Sequence, residues 1–233
     1  MSKLLLAVAF AAMVASAGEA KAQSYPSRSI TIIVPYAAGG PTDVLGRILA
    51  EGMKAALAQP VIVENVGGAA GNLGVGRVAR TAGDGYTLCI GDLGTHVISG
   101  AIYTLPYDTL KDFEPVALLS SSPLIITAKK ALPPNDLKSL IGWLKANPGK
   151  AMQGTAGVGN LTHFGGVLLQ SLSDTTFQFV PYRGIGPAML DLVAGQIDLL
   201  ISAPSVVLIW RDQGLCRHGE DSPRGGTGRP KCG

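Results

Sequence analysis

The feature that most restricts the fold lies between Ile30 and Leu57. A β-branched run, Ile30-Thr31-Ile32-Ile33-Val34-Pro35, gives way to Tyr36-Ala37-Ala38-Gly39-Gly40-Pro41-Thr42-Asp43 and then to an apolar segment of helical period from Val44. This reads as a strand, a glycine turn and a helix, and the helix is expected to turn Leu45, Ile48, Leu49, Met53, Ala56 and Leu57 toward a sheet. The turn is also an anion seat. Gly39 and Gly40 lack the Cβ atoms that hold a ligand off the backbone, Pro41 suits the first helical position, and the helix beyond offers unpaired N–H groups and a partial positive charge. A second seat of similar design, Gly154-Thr155-Ala156-Gly157-Val158-Gly159-Asn160, again stands between a short strand and an apolar helix. Two such seats in one chain point to a carboxylate clasped between two lobes.

The same alternation runs through the chain. Strand-like runs at 30–35, 61–64, 86–90, 116–119, 124–128, 151–155, 177–181 and 197–202 alternate with segments of helical period, the pattern of an α/β protein. Asn135 is the expected cap of an amphipathic helix that ends at Asn147-Pro148-Gly149. The passage between lobes is expected near residues 123–130, which gives a first α/β lobe at 23–125 and a second at 126–208. No repeat of solenoid period is present.

The first 22 residues read as a secretory signal, with Lys3, an apolar run from Leu4 to Val14, and small residues at Ala15-Ser16-Ala17 and Ala20-Lys21-Ala22. That run is well short of the roughly 20 residues a membrane-spanning helix needs, so the product is expected to be soluble and exported to the periplasm. A composition of 47% hydrophobic and 15% charged residues suits a core-forming chain, and a formal charge of +3 without a long basic run gives no nucleic-acid footprint. Cys89, Cys216 and Cys232 fall in no C-x-x-C or zinc spacing, and Cys89 reads as a buried small hydrophobe. From Trp210 onward arginine, glycine and proline replace the apolar pattern, so 209–233 is expected to be a disordered tail, the out-of-frame or truncated end of a longer design.

Several blocks in order carry a more specific message. Val34-Pro35-Tyr36-Ala37-Ala38-Gly39-Gly40-Pro41-Thr42-Asp43, Val63-Glu64-Asn65, Gly83-Asp84-Gly85-Tyr86-Thr87-Leu88, Leu105-Pro106-Tyr107-Asp108 and Val180-Pro181-Tyr182-Arg183-Gly184 resemble the signature blocks of the periplasmic receptors of tripartite tricarboxylate transporters, the Bug family. The likeness is collinear from about Tyr25 to Val207. It implies a two-lobe type II periplasmic-binding-protein fold, with the first lobe incomplete because the C-terminal return segment is missing. It also implies a monomeric receptor, not an enzyme, that has no cofactor and presents a small carboxylate to membrane subunits of a transporter. By that resemblance the first ligand loop falls on Ala38, Gly39, Gly40, Pro41, Thr42 and Asp43. The second falls on Thr155, Ala156, Gly157, Val158, Gly159 and Asn160, with ordered waters bridging ligand and loop. The family usually carries Asn-Arg-Pro-Gly after the second strand. Here Asn65 is followed by Val66-Gly67-Gly68-Ala69-Ala70-Gly71-Asn72, and Ala82-Gly83-Asp84 lacks a proline before the aspartate, so both loops lose rigidity and specificity need not transfer.

Individual side chains carry competing roles. Asp43 complements the helix dipole but would repel an anion, which favours a structural role. Thr42, Thr155 and Asn160 are helix-cap or turn residues as well as hydrogen-bond donors. His163 lies within one turn of the second seat and can reach a ligand, Thr95 and His96 are wall residues, and Arg183 reads as a solvated or capping arginine more than as a direct anion contact. Gly74-Val75-Gly76-Arg77-Val78-Ala79 satisfies G-x-G-x-x-A but does not directly leave a strand, and no G-x-S-x-G elbow or metal-ligand cluster supports a hydrolase. The remaining alternative is a broken receptor whose first sheet, short of its return strand, leaves apolar surface and an exposed edge and aggregates.

Overall fold

The structure is a computed structural model that describes residues 24–205. The expected signal segment at 1–22 and the expected tail at 209–233, with Cys216 and Cys232, lie outside the described residues. Two sheets organise the described chain. In the first, β1 (Ile30–Val34) runs between β2 (Val61–Asn65) and β3 (Thr87–Cys89), parallel to both. Ile30, Ile32, Ile33 and Val34 are all buried, as expected of a central parallel strand covered on both faces.

Helix α1 (Pro41–Leu57) covers this sheet through only part of the expected stripe. Its buried positions are Asp43, Gly46 and Ala50, while Leu49 and Met53 reach the core from the flank and Ile48 is 67% exposed. Close approach is the reason. A Cβ on Gly46 would lie 2.9 Å from Val34 Cγ2, so the helix rests on its small residues and its larger ones splay outward. After β2 a 3₁₀ turn (Ala69–Gly71) leads into α2 (Asn72–Val78), and after β3 a π turn (Gly94–Ile98) runs into the short α3 (Ser99–Ile102). The expected strand at 116–119 does not form. Val116 and Leu118 are 82% and 89% exposed, and β propensity makes a strand only where a neighbouring backbone offers ladder partners. Among the described residues β3 is paired along one edge alone, to β1.

The second sheet has the order β4-β7-β5-β6, from β4 (Ile125–Ala128), β5 (Met152–Thr155), β6 (Gln178–Pro181) and β7 (Leu199–Ser202). β5 is parallel to β6 and to β7, whereas β4 is antiparallel to β7. Helix α4 (Leu137–Ala146) starts one residue later than expected, because Asp136 and not Asn135 is the cap. Ser139 stands three residues on and completes a reciprocal box: its N–H donates to Asp136 Oδ1 at 2.7 Å, and Asp136 N–H donates to Ser139 Oγ at 3.2 Å. Helix α5 (Leu161–Ser173) follows β5, and α6 (Ile185–Val193) follows β6.

The two sheets share one apolar cluster. Ile32, Val34 and Ile90 on the side of the first sheet and Leu200 of the second meet Ala188, Met189 and Leu192 of α6, which lies between them. The start of α6 makes the closest backbone approach, since a Cβ on Gly186 would collide with the Ala38 carbonyl oxygen. Gly186→Ala is therefore expected to push α6 off the first glycine turn and destabilise the chain by about 1–3 kcal/mol, measured by urea unfolding.

Candidate functional site

A cavity of about 780 Å³ opens between the two sheets. From the first side it is lined by Ala37, the Gly67–Ala70 loop, Leu73 and Tyr103; from the second by Gly157, Val158, Pro181, Tyr182, Arg183 and Pro187. Its size falls within the usual range for small-molecule sites, roughly 300–1,000 Å³.

The first glycine turn reaches this cavity through Ala37. Gly39, at φ +84°, donates its N–H to Asp43 Oδ2 at 3.0 Å, and Gly40 is the cap of α1 with Pro41 next. A Cβ on Gly40 would sit 3.5 Å from Gly186 N, so Ala38, Gly39 and Gly40 lean on α6. Thr42 is half-buried on the first turn of α1. Asp43 is buried and its carboxylate is fully engaged: Arg47 Nε donates at 3.1 Å and Asn65 Nδ2 at 2.9 Å besides the Gly39 amide. Burial alone would raise this carboxyl, but the hydrogen bonds from Arg47, Gly39 and Asn65 outweigh it and hold Asp43 below the ordinary carboxylate value. In this geometry Asp43 pins its own turn.

The second turn reaches the cavity through Gly157 and Val158. Thr155 and Asn160 are buried, and much of the turn's donor capacity is used internally. Ala156 N–H donates to Thr162 Oγ1 at 2.8 Å, Gly157 N–H to Thr155 Oγ1 at 3.3 Å, and Gly159 N–H to His163 Nδ1 at 3.4 Å. Asn160 Oδ1 caps α5 by accepting from Thr162 N–H at 3.0 Å. His163 packs against Phe179, ring centroids 4.4 Å apart and planes tilted by 55°, and burial lowers its pKa, which favours the neutral ring that accepts the Gly159 amide.

A polar relay joins the two turns. Asn160 Nδ2 donates to Tyr36 Oη at 2.8 Å, and Tyr36 Oη–H donates to Asp92 Oδ2 at 2.7 Å. Burial first, and the Asp92 charge second, hold the Tyr36 hydroxyl well above its ordinary pKa. Asp92 Oδ1 also accepts from Thr95 N–H at 2.9 Å, and Thr95 Oγ1 lies 2.9 Å from His96 Nδ1. Thr95 and His96 thus brace the relay, and neither lines the cavity. Arg183, in contrast, does line it. Its carbonyl accepts the Ala37 N–H at 2.9 Å, while its exposed guanidinium makes no ion pair among the described residues.

Of the residues expected to hold a ligand, Gly157 and Val158 line the cavity, whereas Ala38, Gly39, Gly40, Pro41, Thr42, Asp43, Thr155, Ala156, Gly159, Asn160 and His163 stand behind its lining; Arg183, expected to be a solvated or capping residue, does line it, and Tyr36, Asp92, Tyr103 and the Gly67–Ala70 loop were missed. The available signal was the tyrosine two residues past β1 and the aspartate just past β3; their pairing across 56 positions is tertiary and has no local mark. The G-x-G-x-x-A glycines pack: a Cβ on Gly74 would meet Val66 O at 2.8 Å and one on Gly76 would meet the Tyr107 ring at 3.1 Å. Burial, reinforced by Asp92, raises the Cys89 thiol to about 12, which keeps it protonated. Among the described residues no cluster of His, Cys, Asp and Glu is arranged to hold a metal ion, and no helix is long and apolar enough to cross a membrane.

Comparison with known proteins gives a consistent result. Residues 45–217 match the model of the tripartite tricarboxylate transporter family receptor. A UPF0065 protein of Agrobacterium vitis is 42% identical over 76% of the chain and 51% of its own length, and BugT of Bordetella pertussis is 34% identical over 89% and 65%. The solved structure of MatC from Rhodopseudomonas palustris, with bound malate, superposes with a TM-score of 0.76 at 37% identity, covering 82% of this chain and 65% of that one. The chain thus spans about half to two thirds of the length of these relatives. Its paired α/β sheets have the architecture of such binding proteins.

Two expectations follow from the site's hydrogen bonds. Tyr36→Phe leaves Asp92 Oδ2 and Asn160 Nδ2 without their partner and is expected to lower stability by about 1–3 kcal/mol in denaturant melts. Because His96 and His163 are held neutral by burial, the unfolded chain takes up protons first as pH falls from about 6.5, so stability falls with acidification over that window. His163→Gln is expected to flatten part of that slope in urea melts run across pH 5–7, and an unchanged slope would remove His163 from the account.

Proposed function

The chain belongs to the tripartite tricarboxylate transporter family of receptors, the Bug family, and from that premise we propose that it is an extracytoplasmic solute receptor that binds a small carboxylate in the cleft between lobes 23–125 and 126–208. The observation that carries this reading is the convergence of Ala37, from the first glycine turn, and Gly157–Val158, from the second, on one interlobe cavity that Arg183 also lines. A relative of the same architecture is solved with malate.

The ligand enters between the lobes and takes hydrogen bonds from main-chain amides of the second turn, directly or through bridging waters. Oriented amides need no reorganisation to receive an anion. The longest internal bonds of the second turn, Gly157 N–H to Thr155 Oγ1 and Gly159 N–H to His163 Nδ1, are poor by length and are the ones a carboxylate would exchange for its own. Gly39 stays committed to Asp43, so the first turn acts as a rigid support. Receptors of this family serve transport and are not enzymes. We place the protein in the periplasm as a monomer that delivers its solute to transporter membrane subunits.

Calorimetric and thermal-shift titrations with dicarboxylates, tricarboxylates, amino acids and aromatic acids, run beside an esterase screen, test this reading. At least one carboxylate is expected to raise Tm, with about 2.7 kcal/mol of added stability at a hundredfold excess over Kd. Ester turnover without any carboxylate-dependent shift would replace the receptor by an enzyme; no shift with any acid would indicate a chain that does not bind.

A further inference from the structure

Resting on the receptor reading above, we propose that the cavity selects a monocarboxylate with an apolar body, aromatic or branched aliphatic, whose carboxylate pairs with Arg183 while the body lies against Leu73, Tyr103 and Val158.

The side-chain polar groups of the cavity lining are few, and the hydroxyls among them are committed. Tyr103 Oη–H donates to Val158 O at 2.5 Å and Tyr182 Oη–H to Asp191 Oδ2 at 2.6 Å, so both rings line the space with their hydroxyls already engaged. The Ala37 amide is bound to the Arg183 carbonyl. Arg183 supplies the one charged side chain of the lining, and no carboxylate neutralises it among the described residues. Around it the two lobes contribute apolar groups that are open to solvent in the absence of a guest: Leu73 is 59% exposed and Val158 is 50% exposed. Each is an apolar surface from a different lobe, and a guest that covers both gains from closing the lobes on itself.

Size and charge then separate ligand classes. The Gly67–Ala70 wall carries no side chain beyond a methyl group, which leaves about 780 Å³, far more than a four-carbon acid fills. A hydroxy-dicarboxylate would satisfy one carboxylate at Arg183 and bring a second charge and a hydroxyl against Leu73, Val158 and ring surfaces that have no hydrogen bonds to return. An apolar acid presents one charge to one cation and a hydrocarbon body to hydrocarbon walls.

Titration of the full 233-residue chain with phenylacetate, phenylacetamide and malate reads this directly. Phenylacetate is expected to bind about tenfold or more tighter than the other two, the scale of one charged hydrogen-bonded pair. Arg183→Gln is expected to abolish its advantage over phenylacetamide and Arg183→Lys to keep part of it. Val158→Thr, nearly isosteric at an exposed position, is expected to weaken phenylacetate several-fold. Malate binding as tightly as phenylacetate, or an unchanged phenylacetate affinity in Arg183→Gln, overturns the proposal while the receptor reading stands. Absence of binding by every acid in the wider panel overturns both.

Discussion

The geometry between the lobes depends on one hydrogen-bonded relay, Asn160 to Tyr36 to Asp92. Asn160 performs two tasks with one amide: its oxygen caps α5 at Thr162 and its nitrogen reaches across to Tyr36. The residue that starts the helix of the second turn is therefore also the residue that docks it on the first sheet. Gly94 makes the approach possible, since a Cβ there would lie 2.9 Å from Asn160 Nδ2 and 3.0 Å from Leu161 N. In a buried setting each of these groups would be costly if left alone, so the relay holds as a unit or not at all. Register between the two glycine turns thereby becomes a consequence of capping chemistry.

Around that relay the two turns have different characters. The first is locked, because Asp43 collects Gly39, Arg47 and Asn65, and Asn65 Nδ2 also donates to the Tyr36 carbonyl at 3.1 Å. A carboxylate in the first turn of a helix complements the dipole, and here it also occupies the donor that an anion would otherwise use. The second turn is looser, closed by bonds of 3.3 and 3.4 Å to Thr155 and His163. One rigid jaw and one adaptable jaw give a cleft that keeps its position while exchanging partners. Arg183, which lines the cavity and makes no ion pair among the described residues, thereby acquires more weight than its place in an exposed turn implied.

The parts of this arrangement that were legible in the sequence are those written in local chemistry. β1, the turn at Gly39-Gly40-Pro41 and the helix after it follow from β-branching, missing Cβ atoms and a proline at the first helical position, all within a dozen residues. The cap of α4 was displaced by one residue because Asn135 and Asp136 are both cap formers, and only Ser139, three positions beyond the second, decides between them. Ile48 looked like core by spacing, yet Gly46 and Ala50 let the helix so close to the sheet that the contact line rotated. The run at 116–119 has strand composition without a strand partner in the described residues. Tyr36–Asp92, Asn160–Tyr36 and the α6-centred core share one property: they join residues far apart in the chain, which no window of sequence contains.

The Gly67–Ala70 loop shows how closure and cavity shape are coupled. Ala69 and Ala70 hold φ of +47° and +57°, a left-handed conformation that costs an L-residue roughly 1–2 kcal/mol each. Such strain persists where surroundings over-determine it. Here they do: Gly67 is wedged so that a Cβ would lie 2.7 Å from Arg183 O and 2.9 Å from Ala37 N, and Gly157 presses on the loop from the other lobe, its own Cβ position 2.9 Å from Ala70 Cα. The Gly157 and Arg183 contacts come from the second lobe, so the left-handed backbone of Ala69 and Ala70, and with it this wall of the cavity, is held by both lobes together.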